Sequence, residues 1–175
     1  MSEGQRLPHW AVGEWLNCDG PLTLDGLRGR VVVVHAFQML CPACVRHALP
    51  QAERLHRQFA GDDLIVVGLH TVFEHHDAMR PAALRAFMHE YRITHPVGID
   101  RHAPGLAIPV TMQRWQLRGT PSLIVLDRAG RVQSHHFGVY DDLPLGVLLG
   151  RLLEASAERT SGKGCDDVAG CPVPG

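Results

Sequence analysis

The stretch that most restricts the fold is Val31-Val32-Val33-Val34-His35-Ala36-Phe37, together with the cysteine pair a few residues beyond it. Consecutive β-branched residues disfavour a helix, and an apolar run without alternation suits a strand covered on both faces. After the run the chain reads Cys41-Pro42-Ala43-Cys44, and then Val45, Leu49, Ala52, Leu55 and Phe59 recur at helical spacing, with Gly61 as a stop. A second apolar run, Leu64-Ile65-Val66-Val67-Gly68-Leu69, completes a strand–helix–strand unit with the two cysteines at the first junction.

The remaining elements come in order. Pro81 opens a helical pattern through Leu84, Phe87, Met88 and Tyr91, and a loop-rich stretch from His95 to Pro109 leads to a short segment around Met112 to Leu117. Leu123–Leu126 and Val132–Phe137 flank Asp127-Arg128-Ala129-Gly130, the pattern of an antiparallel hairpin, and an amphipathic stretch runs from Leu143 to Leu153. Ahead of the first central strand, residues 22–30 read as a short hairpin extension. From about Ala155 the chain is rich in Ser, Gly, Asp and Pro, a composition that does not repay the entropy of ordering. The expected organisation is one domain over residues 1–155 and a flexible, cysteine-containing tail over 156–175.

A length of 175 residues with 45% hydrophobic content supports one core. Seventeen basic against eighteen acidic residues leave a net charge of -1, so no bulk field recruits nucleic acid or anionic lipid. No apolar run approaches the roughly 20 residues needed to span a bilayer, so neither nucleic acid nor membrane is an expected partner. The N-terminus lacks the apolar core of a secretory signal, which points to the cytoplasm, or to the periplasm if a leader has been removed. In a reducing compartment the five cysteines, Cys18, Cys41, Cys44, Cys165 and Cys171, suit catalysis or metal binding better than permanent disulfides.

Cys41 falls at or just before a helix N-terminus, where unpaired N–H groups and the helix dipole favour a thiolate. That makes Cys41 the better nucleophile. Cys44, one turn further in, is placed to attack a mixed disulfide on Cys41 and release the partner reduced. The pair forms one reversible redox couple that needs no other cofactor, with protein disulfides or dithiols as partners and an unidentified upstream reductant. Cys165 and Cys171 form a possible second dithiol: a flexible linker of roughly ten residues has an average reach of about 17 Å from the last helix. Cys18, in the turn Asn17-Cys18-Asp19-Gly20, reads as an incidental thiol.

In order and spacing these pieces resemble the thioredoxin-like superfamily, its TlpA/ResA-like and redoxin members in particular. The resemblance runs from about Trp10 to Leu153: a Leu27-Arg28-Gly29-Arg30 lead into the valine strand, the CxxC at the strand–helix junction, then Arg118-Gly119-Thr120-Pro121 before a hairpin strand. It implies an α/β, three-layer fold with a central mixed sheet flanked by helices, and thiol–disulfide oxidoreductase activity. It also implies a cis-proline site at Thr120-Pro121 facing the cysteines, with Pro42, Ala43, Thr120 and Pro121 meeting the substrate chain. His35, six residues before Cys41, stands where the family has a buried acid that handles the second thiol's proton; Glu74, past the second central strand, is the other candidate for that task. The chain departs from thioredoxins in having Leu40 in place of a tryptophan before the first cysteine. Pro50 stands one residue farther from Cys44 than the usual kink position.

Two other functions compete on the sequence. A peroxiredoxin-like peroxide reductase would want a proline and a threonine or serine seven and three residues before its cysteine, where this chain has Val34 and Gln38. A metallochaperone-like module would use Cys41, Cys44 and a histidine, of which the chain has twelve. No metal site is assigned: zinc normally takes four ligands, and the adjacent His135 and His136 point to opposite faces of a strand.

Overall fold

The structure, a computed structural model, describes residues 3–59, 61 and 63–161, with side chains as far as residue 155. Six strands, β1 (Val12–Leu16), β2 (Val31–Phe37), β3 (Leu64–His70), β4 (Val97–Asp100), β5 (Ser122–Leu126) and β6 (Val132–Phe137), form one mixed sheet in the order β1-β4-β3-β2-β5-β6. The valine run is the central strand, and all seven of its residues are buried. β2 runs parallel to β3 and antiparallel to β5, which fixes His35 opposite Gly68 on one side and Leu123 on the other.

Helices cover both faces. Val31 and Val33 pack with Val66, Leu123 and Val125 against Ala52 of α1 (Leu49–Gln58) and Leu145 and Leu149 of α4 (Asp142–Ser161). Phe37 and Cys44 pack on the same side with Leu84 and Met88 of α2 (Pro81–Glu90). On the opposite face Val32, Val34 and Ala36 meet Met112 of the short α3 (Val110–Arg114) and the fully buried Trp115. Each buried valine contributes about 1.5–3 kcal/mol of transfer free energy, so the run that dictates the strand also anchors both layers.

Four elements differ from the sequence reading. The N-terminal extension is an edge strand, not a hairpin: β1 pairs antiparallel with β4, and the stretch expected to be a hairpin over residues 22–30 forms turns. The loop expected from His95 to Pro109 contains β4, whose four residues are too few to show a period. The last helix, α4, continues to Ser161, past residue 155, the expected start of the tail; the rest of the expected tail lies outside the described residues. The helix after the cysteines begins with a π-helical turn over Cys44–Ala48, in which the N–H of Leu49 donates to the carbonyl of Cys44. A π turn takes up one extra residue. Pro50 follows this turn directly, inside a helix that runs unbroken from Pro42, and the widened turn lies just where the missing N–H and ring of a proline interrupt the helical ladder. Among the described residues no helix is long and apolar enough to cross a membrane.

Candidate active site

Three chain segments converge at the C-terminal end of β2. The strand delivers Gln38 to Cys41 at its edge, the helix begins there, and the antiparallel pairing of Ala36 with Ser122 brings the start of β5 alongside. The Thr120–Pro121 peptide bond is cis. As a thiol, Cys41 donates from Sγ to the Thr120 carbonyl at 3.5 Å. The same sulfur accepts the N–H of Cys44 at 3.3 Å, and the carbonyl of Cys41 accepts from Val45 at 3.1 Å. Cys41 is therefore the N-cap of the helix, with its sulfur in the role usually played by a serine or aspartate oxygen. Pro42 occupies the first helical position, where a missing N–H costs nothing, so the N–H of Cys44 remains available to the sulfur.

The two thiols sit in different surroundings. Cys41 is half-buried and Cys44 is fully buried, and Cys18, Cys41 and Cys44 are all free. Burial, helped by the hydrogen bond with Cys41, pushes the Cys44 thiol up to about 12; hydrogen bonds from the Gln38 main chain and the Thr120 side chain act in the opposite direction. Pro42 is exposed and Ala43 half-buried beside Cys41. Leu40 stands 54% exposed, an apolar side chain on the rim.

His35 and Glu74, the two candidate proton acceptors, occupy opposite environments. His35 is buried in β2, and the Nε2 atom of its ring has no hydrogen-bond partner. Burial, and then the nearby His95, hold its pKa down at about 3, so it is neutral. It lines a cavity of about 190 Å³ together with Ala48 and Gln51 from the helix, Pro121, and Ser122 from β5. Glu74 is exposed, and its carboxylate accepts from the Gln38 amide at 3.3 Å.

Gln38 joins these parts. It is 1% exposed, its carbonyl accepts the N–H of Cys41 at 3.1 Å, and its side-chain oxygen accepts the N–H of Phe73 at 3.1 Å. On the sequence alone Gln38 figures only as a substitute for a peroxide-holding hydroxyl; with its amide engaged by Phe73 and Glu74, it is a brace between the cysteine loop and the loop after β3. The buried pair Glu53 and His95, linked at 2.5 Å, escapes sequence reading altogether. Its one sequence signal is a carboxylate four residues after Leu49, bordering the apolar stripe of α1.

Cys165 and Cys171, the candidate second dithiol, lie outside the described residues. Among the described residues no group of three or more His, Cys, Asp or Glu side chains is arranged to hold a metal ion.

This architecture has close counterparts. A crystal structure of a thioredoxin-like superfamily protein matches with a TM-score of 0.81 and 50% identity, over 85% of this chain and 96% of that one. That of a thiol-disulfide isomerase from Corynebacterium glutamicum matches with a TM-score of 0.81 and 49% identity, over 86% and 96% of the two chains. Among curated proteins, NHL repeat-containing protein 2 of Gallus gallus is 33% identical over 125 residues, 68% of this chain. Protein DipZ of Mycobacterium tuberculosis is 27% identical over 141 residues, 79% of this chain. The chain spans only 16% and 19% of the length of these two relatives. No family model matches it. The shared fold, with half of the residues identical across nearly the whole of a solved relative, establishes that the chain belongs to the thioredoxin-like superfamily.

Proposed function

We propose that Cys41 and Cys44 are the redox couple of this thiol–disulfide oxidoreductase. The observation that carries the assignment is the pair of contacts at Cys41 Sγ, the Cys44 N–H on one side and the Thr120 carbonyl beside Pro121 on the other. A half-buried sulfur at a helix N-cap attacks one sulfur of a protein disulfide, forming a mixed disulfide and releasing the other sulfur as a thiolate. Cys44 then loses its proton and attacks Cys41. A Cys41–Cys44 disulfide forms, and the second substrate sulfur leaves and is protonated. Two electrons pass from the dithiol to the substrate, and the two sulfurs carry all of them.

A thiol held at about 12 does not ionise by itself at neutral pH, so the second step needs a base. His35, which lies on the same sheet face as Phe37, the neighbour of Cys44, is held at about 3 and is too weak a base for that thiol, so the proton passes from Cys44 to the departing substrate sulfur. Glu74 acts through Gln38 on the shape of the rim. A reducing cytoplasm would run the couple as a reductase of protein disulfides.

Dithiol-dependent insulin precipitation tests the assignment. Cys41→Ser is expected to abolish it, whereas Cys44→Ser accumulates mixed disulfides with substrate because attack survives and resolution is lost. Equal rates in wild type and Cys41→Ser would overturn the reading.

A further inference from the structure

Phe137, the last residue of β6, stands 45% exposed at the rim of the site. It pairs in register with Ser122, and the N–H of Gly138 donates to the Pro121 carbonyl at 2.8 Å, so the end of β6 runs alongside the cis-proline. The Phe137 ring lies on Gly119: a Cβ added to this glycine would be 2.9 Å from Cε2 and 3.4 Å from Cζ. Thr120, the next residue, carries the carbonyl that meets Cys41 Sγ at 3.5 Å. The ring is thus seated on the backbone one residue from the contact with the reacting sulfur.

A cation rests on this ring. The Arg118 guanidinium lies over Phe137 with its Cζ atom 5.2 Å from the ring centroid, within the range of a cation–π contact. Arg118 is exposed and forms no ion pair among the described residues. A long arginine side chain loses rotamer freedom when it meets a partner, and stacking on an aromatic ring removes part of that freedom beforehand. What it presents at the rim is a planar fork of N–H donors, whose geometric and electrostatic complement is a carboxylate.

The other charges near the cysteines are compensated or stand elsewhere. Arg54 and Asp142 pair with each other at 2.8 Å, and Arg46 and Asp141, one of each sign, both line the cavity beside Pro121. Glu74 stands across the cysteines on the Gln38 side, where its carboxylate accepts from the Gln38 amide. The uncompensated charge beside Thr120 is therefore positive and belongs to Arg118.

We propose that Arg118, held on the Phe137 ring, is a specificity-determining residue that selects protein disulfides carrying an acidic side chain within two residues of the cysteine attacked by Cys41. The inference rests on the assignment of Cys41 and Cys44 as the redox couple. A substrate sulfur that bonds to Cys41 Sγ brings its chain over Thr120, and two residues of extended chain span roughly 7 Å. Arg118 is two residues from Thr120, so the guanidinium and the acidic side chain fall at the same interval from the reacting sulfurs. Phe137 is a positioning residue, because it acts through the guanidinium.

The test is single-turnover reduction, by the reduced full chain, of symmetric peptide disulfides carrying Asp, Asn or Lys two residues before or two residues after the cysteine. At one of these positions the wild type is expected to reduce the Asp peptide roughly three- to fivefold faster than the Asn peptide, the scale of an exposed ion pair, and the Lys peptide more slowly still. Raising the salt to about 1 M is expected to bring the three rates together. Arg118→Met, which keeps an apolar stem and removes the charge, is expected to erase the Asp preference; Arg118→Lys is expected to retain part of it. Phe137→Leu keeps the cation but removes its seat, and is expected to reduce the Asp-to-Asn ratio. Equal rates for the three peptides at both positions in the wild type overturn the proposal without recourse to any variant. An Asp preference that survives at full size in Arg118→Met also overturns it, and one that survives at full size in Phe137→Leu removes the ring from it. If the wild type reduces none of the peptides, the redox assignment itself fails, whereas reduction of all of them at one rate leaves that assignment standing and removes only the role of Arg118.

Discussion

The N–H of Cys44 donates to the sulfur of Cys41 at 3.3 Å, so one thiol of the pair caps the helix that buries the other. The same turn of backbone thus makes one sulfur accessible at a positive helix terminus and encloses its partner. Chemical asymmetry arises from local geometry.

That asymmetry predicts selective alkylation. With iodoacetamide at pH 7, Cys41 is expected to be modified while Cys44, fully buried and held at about 12, stays unmodified in the folded reduced protein. Peptide mapping checks it; comparable labelling of both thiols would mean that the π-helical turn does not enclose Cys44.

Acid stability is the second prediction. Burial holds His35 at about 3 and His70 at about 4, against 6.5 in an unfolded chain. Below pH 6.5 the unfolded chain takes up protons that the native state refuses. Stability is therefore fully present above about 6.5 and falls as pH drops toward 4, by up to about 1.4 kcal/mol per pH unit for each group. Denaturation midpoints at pH 7, 6 and 5 should fall in sequence, and His35→Gln should flatten the slope. A wild-type profile flat over that range would show that neither imidazole is buried in its neutral form.

Much of this arrangement is legible in the sequence, for identifiable reasons. Val31–Phe37 and Leu64–Leu69 announce buried strands through composition, Asp127–Gly130 announces its hairpin through turn chemistry, and Cys41 falls on the helix terminus because the two patterns abut there. The illegible parts depend on partners distant in sequence. Glu53 meets Thr94 and His95 41 and 42 residues away, and Gln38 meets Glu74 36 residues away. Neither residue type in isolation signals such a bond. The π-helical turn is hidden as well, because a one-residue insertion leaves the apolar spacing of Leu49, Ala52, Leu55 and Phe59 intact.

Gln38 supports a third prediction. Gln38→Leu removes the acceptor of the Phe73 N–H and is expected to cost about 1–3 kcal/mol, read as a lower denaturation midpoint. Glu74→Gln, by contrast, keeps an acceptor for the Gln38 amide on an exposed side chain, and its rate of mixed-disulfide release is expected to stay within about twofold of wild type. A loss of about tenfold or more in Glu74→Gln would make Glu74 the proton acceptor.

The final prediction concerns Gly68, the glycine beneath the His95 ring. A Cβ on Gly68 would meet Val97 at 2.9 Å, His95 Nε2 at 3.1 Å and Phe37 at 3.2 Å. None of these contacts involves the free end of a flexible chain: Val97 and Phe37 are in the core, and the His95 ring is tied to Glu53. Gly68→Ala therefore overpacks a site with little freedom to relax and is expected to cost about 1–3 kcal/mol, despite the higher strand propensity of alanine. The ring has one way to yield, by tilting away from β3 at the expense of its bond to Glu53. Imidazole nitrogen chemical shifts should then show the Nδ1 proton of His95 losing its strongly hydrogen-bonded signature. An unchanged denaturation midpoint together with an unchanged His95 signal would mean that His95 does not rest over Gly68.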